Sequence, residues 1–127
     1  MIKMSYNKLD DQSISLFFGA IANPKRFRIL VTLNERGPMC VSQLEELLGI
    51  EQSDLSHNLQ CLLNCRFVNR EQRGKEKVYS LNEDMKVLVD SINSHIEAYD
   101  RYIKSCEIVN DKNLVKGVDN GKLSNLA

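Results

Sequence analysis

The sequence predicts a mainly α-helical chain with a small β-hairpin wing, a winged helix-turn-helix paired into a dimer through long terminal helices. Three observations carry this. Two short amphipathic helices flank a tight glycine-bearing turn between residues 42 and 64. After residue 66 the apolar period shortens to that of strands around a charged tip. From Met85 to Ile103 one apolar stripe then runs along a single long helix.

The 127 residues suit one domain. The expected division is an N-terminal arm over 1–11, the folded domain over 12–107 and a polar tail over 108–127. Residues 12–21 read as a first helix, with Asp10 or Asp11 as its cap. Asn23-Pro24 supplies a cap residue and a proline at the first turn of a second helix. Phe27, Leu30, Val31 and Leu33 line that helix, and Gly37-Pro38 ends it.

Ser42 to Glu45 has capping-box spacing for a third helix, with Leu44, Leu47 and Leu48 inward and Gly49 after its end. A turn over residues 49–52 leads to a fourth helix at roughly 53–64. Phe67–Arg70 and Val78–Leu81 are short strands, with the charged residues 71–77 between them and Gly74 at the tip. Asn82 can cap the last helix, whose stripe is Met85, Leu88, Val89, Ile92, Ile96, Tyr99 and Ile103. That helix is longer than so small a core needs, so its natural use is pairing with a second copy.

Formal net charge is zero, which argues against coating nucleic acid by charge alone. The charge is nonetheless unevenly spread: Arg66, Arg70, Arg73, Lys75 and Lys77 face only Glu71 and Glu76 in residues 66–77. The polar N-terminus has no signal-like apolar core, and no run approaches the roughly 20 apolar residues of a membrane span. A cytoplasmic protein with no membrane partner is expected, with its four cysteines reduced rather than bridged. No phosphate loop, nucleophile–base pair or HExxH is present, so an enzyme is not expected.

The fourth helix carries the reading chemistry. Leu55, Leu59, Leu62 and Leu63 cluster on one side of it. Asp54, His57, Asn58 and Cys61 fall opposite, with Ser53, Ser56 and Gln60 near the edges and Gln52 at the start. Short polar side chains placed there reach base edges and phosphates in a major groove. Arg73, Lys75 and Lys77 of the wing suit phosphate or minor-groove contact. The plainer alternatives are a solvated helix face and a solubilising loop.

The stretches FFGAIANPKRFRILVTL, CVSQLEELLGIEQSDLSHNLQCL and VNREQRGKEKVYSL resemble the ArsR/SmtB family of winged-helix metalloregulatory repressors over roughly residues 14–105. That resemblance implies a homodimer on double-stranded operator DNA with an imperfect inverted repeat, released when an inducer binds.

The cysteines bear on the inducer. Cys61 and Cys65 are four apart, hence on one side of a helix, and away from its leucine face. Buried cysteine behaves as a small hydrophobe, so two on a non-core face ask for another role. Two thiolates make a half-site for a soft metal, with Cys106 as candidate third ligand, from the same or the other protomer. A three-sulfur set suits Cd(II) or Pb(II), whereas Zn(II) prefers a fourth ligand. The stretch Ser56–Cys65 together with Cys106 resembles the CmtR cadmium- and lead-sensing branch of the family. Other metal sites of the family fit less well: Ser42 stands where a second cysteine would join Cys40, and Asp90, His95 and Glu97 lack the needed spacing. The rivals are a thiol redox or persulfide sensor, incidental cysteines, and a winged-helix module for protein interaction.

Overall fold

The computed structural model describes residues 9–108. The arm over 1–8 and the tail beyond 108 lie outside the described residues. The described chain divides into two compact units, with the boundary after Val89, inside the last helix.

The first unit holds α1 (Asp11–Ile21), α2 (Pro24–Arg36), β1 (Met39–Cys40), α3 (Val41–Leu48), α4 (Gln52–Asn64), β2 (Val68–Arg73), β3 (Glu76–Leu81) and the first turns of α5 (Asp84–Lys104). The caps are those the sequence offers. Asp10 accepts from the Gln12 N–H at 3.0 Å. Asn23 accepts from the N–H groups of Lys25 and Arg26, with Pro24 in the first turn. Asn82 accepts from the Asp84 N–H at 3.1 Å. Each satisfies a donor that a helix start leaves unpaired, worth about 1 kcal/mol.

The cap of α3 differs from expectation. The helix begins at Val41, and the Gln43 side chain closes back on the Cys40 N–H at 2.9 Å. Ser42 therefore lies inside the helix, bonded to the Cys40 sulfur at 3.2 Å. The shift follows from β1, which holds Cys40 extended against β3 and leaves it as the last residue before the helix.

Leu55, Leu59 and Leu62 sit at i, i+4 and i+7 on α4 and are wholly buried. They join Ile29, Leu30 and Leu33 of α2, Leu44 of α3, and Phe67, Val68, Tyr79, Met85 and Val89 in one core. Each such leucine contributes about 1.5–3 kcal/mol by leaving water. Leu47, expected inward, is 43% exposed, because α3 is only eight residues long and packs through Leu44. Gly49 ends α3 at φ 68°, the left-handed geometry that turns the chain into α4.

The wing is larger than the sequence indicates. β2 and β3 pair antiparallel from Val68↔Leu81 to Arg73↔Glu76, so only Gly74 and Lys75 form the turn. Gly74 takes φ 60°, as such a tight hairpin requires. β1 adds a third strand, giving the order β1-β3-β2. Two residues between a proline and a helix show no alternation, so β1 was not legible.

Arg66 follows α4 in the left-handed region, at φ 64°. Its guanidinium donates to the Leu63 carbonyl, and its own carbonyl accepts from the Asn82 side chain at 2.8 Å. The end of α4 is thereby tied to the start of α5.

The second unit begins within α5, which kinks at Tyr99. His95 and Tyr99 stack with ring centroids 4.6 Å apart, and Ile96, Tyr99, Tyr102 and Ile103 are exposed. Among the described residues no helix is long and apolar enough to cross a membrane.

Candidate nucleic-acid interface and thiol pair

α4 has three faces. The leucine face is in the core. Gln52, Ser53, Ser56, His57 and Gln60 are exposed, as expected of a reading face. The Ser53 hydroxyl donates to the Glu51 carboxylate, and Gln60 donates to Asn64 at 2.9 Å. Both lie at the surface, where water or a base edge can replace them at small cost.

The third face is a stripe of Asp54, Asn58, Cys61 and Cys65, at i, i+4, i+7 and i+11. It corrects the expected reading set. Asn58 is 3% exposed, so it does not face outward. Its amide donates to the Asp54 carbonyl and carboxylate at 2.9 and 3.0 Å, and its oxygen accepts from Arg26 Nη1 at 3.0 Å. Asp54 also accepts from Lys25 Nζ at 2.5 Å. Asn58 is thus committed to α2, whereas Asp54 pairs there with its side chain still 38% exposed. The apolar period could not reveal this, because it marks only the leucine side and not a polar partner about thirty positions away.

The Lys25 ammonium holds the Asp54 carboxyl below its ordinary value of 3.8, against the opposing pull of burial, with Asn58 and His57 assisting. A carboxyl depressed by folding stabilises the fold above its unfolded pKa and loses that contribution as pH falls through the folded one. The stability advantage of the wild type over Asp54→Asn is therefore expected near neutral pH and to fade as pH falls below the ordinary carboxylate value. Urea unfolding at a series of pH values measures it; a pH-independent difference would show that the Lys25–Asp54 pair is not its source.

Cys61 and Cys65 occupy the C-terminal half of the same stripe. Cys61 is half-buried against the core and Cys65 is exposed. Their thiols are neighbours on successive turns of the helix. Partial burial, then the neighbouring Cys61, push the Cys65 thiol above its usual value, while the Arg26 cation pulls it down. A thiophilic metal must displace those protons, so its binding weakens as pH falls. Two sulfurs on adjacent helical turns fit a soft ion as a partial donor set. Among the described residues, no group of three His, Cys, Asp or Glu is gathered that could hold an ion. Cys106 lies in the second unit, half-buried two residues past α5, with its N–H bonded to the Ile103 carbonyl. Cys40 is buried at the start of α3.

The wing presents Arg73, Lys75 and Lys77, all exposed. Arg73 pairs with Glu71 at 2.8 Å, with the two side chains 59% and 65% exposed. So exposed a pair contributes little and can open toward a phosphate.

The sequence profile of the bacterial regulatory protein, arsR family, matches residues 23–70. An arsenical resistance operon repressor of Bacillus subtilis is 37% identical over 67 residues, 53% of this chain and 64% of its own length. The HTH-type transcriptional regulator NmtR of Mycobacterium tuberculosis is 44% identical over 62 residues, 49% of this chain and 51% of its own. The matched segment thus spans about half to just under two-thirds of these curated relatives. A homodimeric winged helix-turn-helix DNA-binding domain from Mycobacterium bovis, a possible ArsR-family regulator, superposes with a TM-score of 0.64 at 26% identity, covering 76% of this chain and 91% of that one.

Proposed function

We propose that this chain, whose residues 23–70 match the arsR family of bacterial regulatory proteins, is a transcriptional repressor that binds operator DNA as a homodimer and is released by a thiophilic metal. The observation that carries the reading is the division of α4 into an exposed polar face and a flank bearing two thiols one helical turn apart. The relatives reported above are named as regulators and repressors, not enzymes.

In this reading Gln52, Ser53, Ser56, His57 and Gln60 enter the major groove of an inverted repeat. Arg73, Lys75 and Lys77 meet phosphates beside it. Exposed apolar side chains on α1 (Ile14, Leu16, Phe18) and along α5 (Ile96, Tyr99, Tyr102, Ile103) supply surface for a second copy, and the homodimeric neighbour supports that use.

Cys61, Cys65 and Cys106 are the proposed metal ligands, with Cys106 drawn from the same or the partner protomer. Cd(II) or Pb(II) fits three sulfurs, and Zn(II) would need a fourth donor. Bound metal would replace the protons of both thiols and draw their flank of α4 toward the third sulfur. That flank is the one Lys25 and Arg26 hold, so a pull on it acts on the seat of the reading face.

The test is binding of the reduced protein to a duplex selected from a random pool, with and without Cd(II). Expected are salt-dependent binding, weakened by metal, and sulfur-to-metal charge-transfer absorption. Metal-insensitive binding with a disulfide formed under peroxide or polysulfide would favour a redox repressor. Absence of salt-dependent binding would favour a protein-interaction module.

The wing gives a separate expectation. Replacing Lys75 or Lys77 with Gln should weaken binding to all duplexes alike and reduce the slope of log affinity against log salt by about one per lost phosphate contact. An unchanged slope would remove that residue from the interface.

A further inference from the structure

The Asn-Pro-Lys-Arg segment at residues 23–26 supplies neither a side chain of the reading face nor a thiol, yet its two cations hold the helix that carries both. Arg26 Nε donates to the Ala20 carbonyl at 2.7 Å, and its Nη2 reaches the Gly19 carbonyl at 3.4 Å. These carbonyls belong to the last turn of α1, where a helix leaves acceptors unpaired and its dipole favours a cation. Arg26 Nη1 donates to Asn58 Oδ1 of α4 at 3.0 Å. One guanidinium therefore joins three helices: it is rooted in α2, caps α1 and holds α4.

One residue earlier, Lys25 binds Asp54, and Asp54 and Asn58 are bonded to each other. The four side chains form a closed polar seat under the N-terminal half of α4. Asn58 is among the few buried polar residues of the described chain, and its amide hydrogen bonds are all internal to this seat. A buried amide that loses its partner bears the full cost of desolvation, so the seat resists sliding or rolling of α4.

We propose that Arg26 is a positioning residue for DNA recognition: by bridging the end of α1 to Asn58 it fixes the roll of α4, and so aims Ser53, Ser56, His57 and Gln60. The inference rests on the DNA-reading role proposed above. It assigns Arg26 no contact with DNA. Rolling α4 by one residue's worth of arc, about 100°, would replace the reading face by the stripe of Asp54, Asn58, Cys61 and Cys65; even a small part of that rotation misplaces side chains that must meet base edges at hydrogen-bond distance.

The fork geometry is what the role needs. A lysine keeps the charge but is a point donor on a flexible stem, and cannot reproduce three bonds held in one plane. A phosphate contact has the opposite requirement, since charge suffices for it. The two roles are therefore separable by substitution.

The experiment uses the full chain with the duplex it selects from a random pool and a scrambled duplex of the same length. Fluorescence anisotropy is read across a salt series, and thermal unfolding is followed for each variant. Arg26→Lys and Arg26→Gln are both expected to lose about tenfold or more in affinity for the selected duplex. Affinity for the scrambled duplex and the salt slope should stay at wild-type values. Asn58→Ala should show the same pattern, and the double variant should be little worse than either single one, because both break one bridge.

If Arg26→Lys restores binding and Arg26→Gln lowers the salt slope by about one on both duplexes, Arg26 is a phosphate contact and the proposal falls. It falls equally if either variant unfolds cooperatively near the wild-type temperature and still discriminates the duplexes as the wild type does. Should the wild type itself select no duplex, the DNA-reading role fails first and this inference with it.

Discussion

Replacing Cys61 or Cys65 with Ser is expected to abolish the metal response while leaving DNA binding intact. The wild type should show thiolate charge-transfer absorption with Cd(II) or Pb(II) and lose operator affinity by a factor typical of allosteric coupling, about 5–150-fold. The Cys61→Ser variant should show neither change, because a hydroxyl is a poor ligand for a soft ion and the remaining sulfur has lost its neighbour. Operator affinity without metal should match the wild type, since the thiols lie outside the exposed set of Ser53, Ser56, His57 and Gln60. Linkage adds a second readout: bound duplex must weaken Cd(II) binding to the wild type by the same factor. A metal response retained in both single variants would remove the thiol pair from the sensing site. A Cys106→Ser variant, mixed with Cys61→Ser protein, then asks whether the third sulfur comes from the other protomer. Recovery of metal binding in the mixture would place it there.

The second large effect is on stability. Leu59→Ala is expected to destabilise the fold by about 2–5 kcal/mol, the cost of lost burial together with the cavity left behind. Leu59 is wholly buried and lies at the centre of the α4 core face, between Leu55 and Leu62. It belongs to a core cluster that draws on α2, α3, α4, the wing and α5. Against a typical total of about 5–15 kcal/mol, such a loss is a large fraction of stability. Urea unfolding measures it. Leu47→Ala, at an exposed position of α3, should shift the midpoint far less. Similar effects at the two positions would mean that α3 packs through Leu47 in solution.

The two effects concern one helix from opposite sides. α4 is held from below by leucines, from one flank by Arg26 and Lys25, and the C-terminal half of that flank carries the thiols. A helix so placed can be aimed by its seat and disturbed through its sulfurs without change in its core. The sequence reading put thiols and reading residues on one side of the helix. The structure separates them onto adjoining faces, so a metal would act through the seat of α4 rather than by covering the groove-facing residues.

Much of the architecture was already fixed by local chemistry. Asp10, Asn23-Pro24, Gly49 and Asn82 set helix ends through caps, turns and backbone freedom, all of which involve neighbours in the chain. The leucine spacing of α4 and the charged hairpin around Gly74 likewise follow from short-range periodicity. The i, i+4 spacing of Cys61 and Cys65 needs only the helix to bring them together. Tertiary structure decided what depends on distant partners. β1 exists because β3 is there to pair with Met39 and Cys40. The start of α3 moved as a result. Asn58 became a buried strut because Arg26, thirty-two positions earlier in the chain, meets it across the α2–α4 contact. On a bare helical wheel Asn58 and Ser56 are both polar positions off the leucine face. Only the guanidinium waiting on α2 makes one of them part of the frame and leaves the other at the surface.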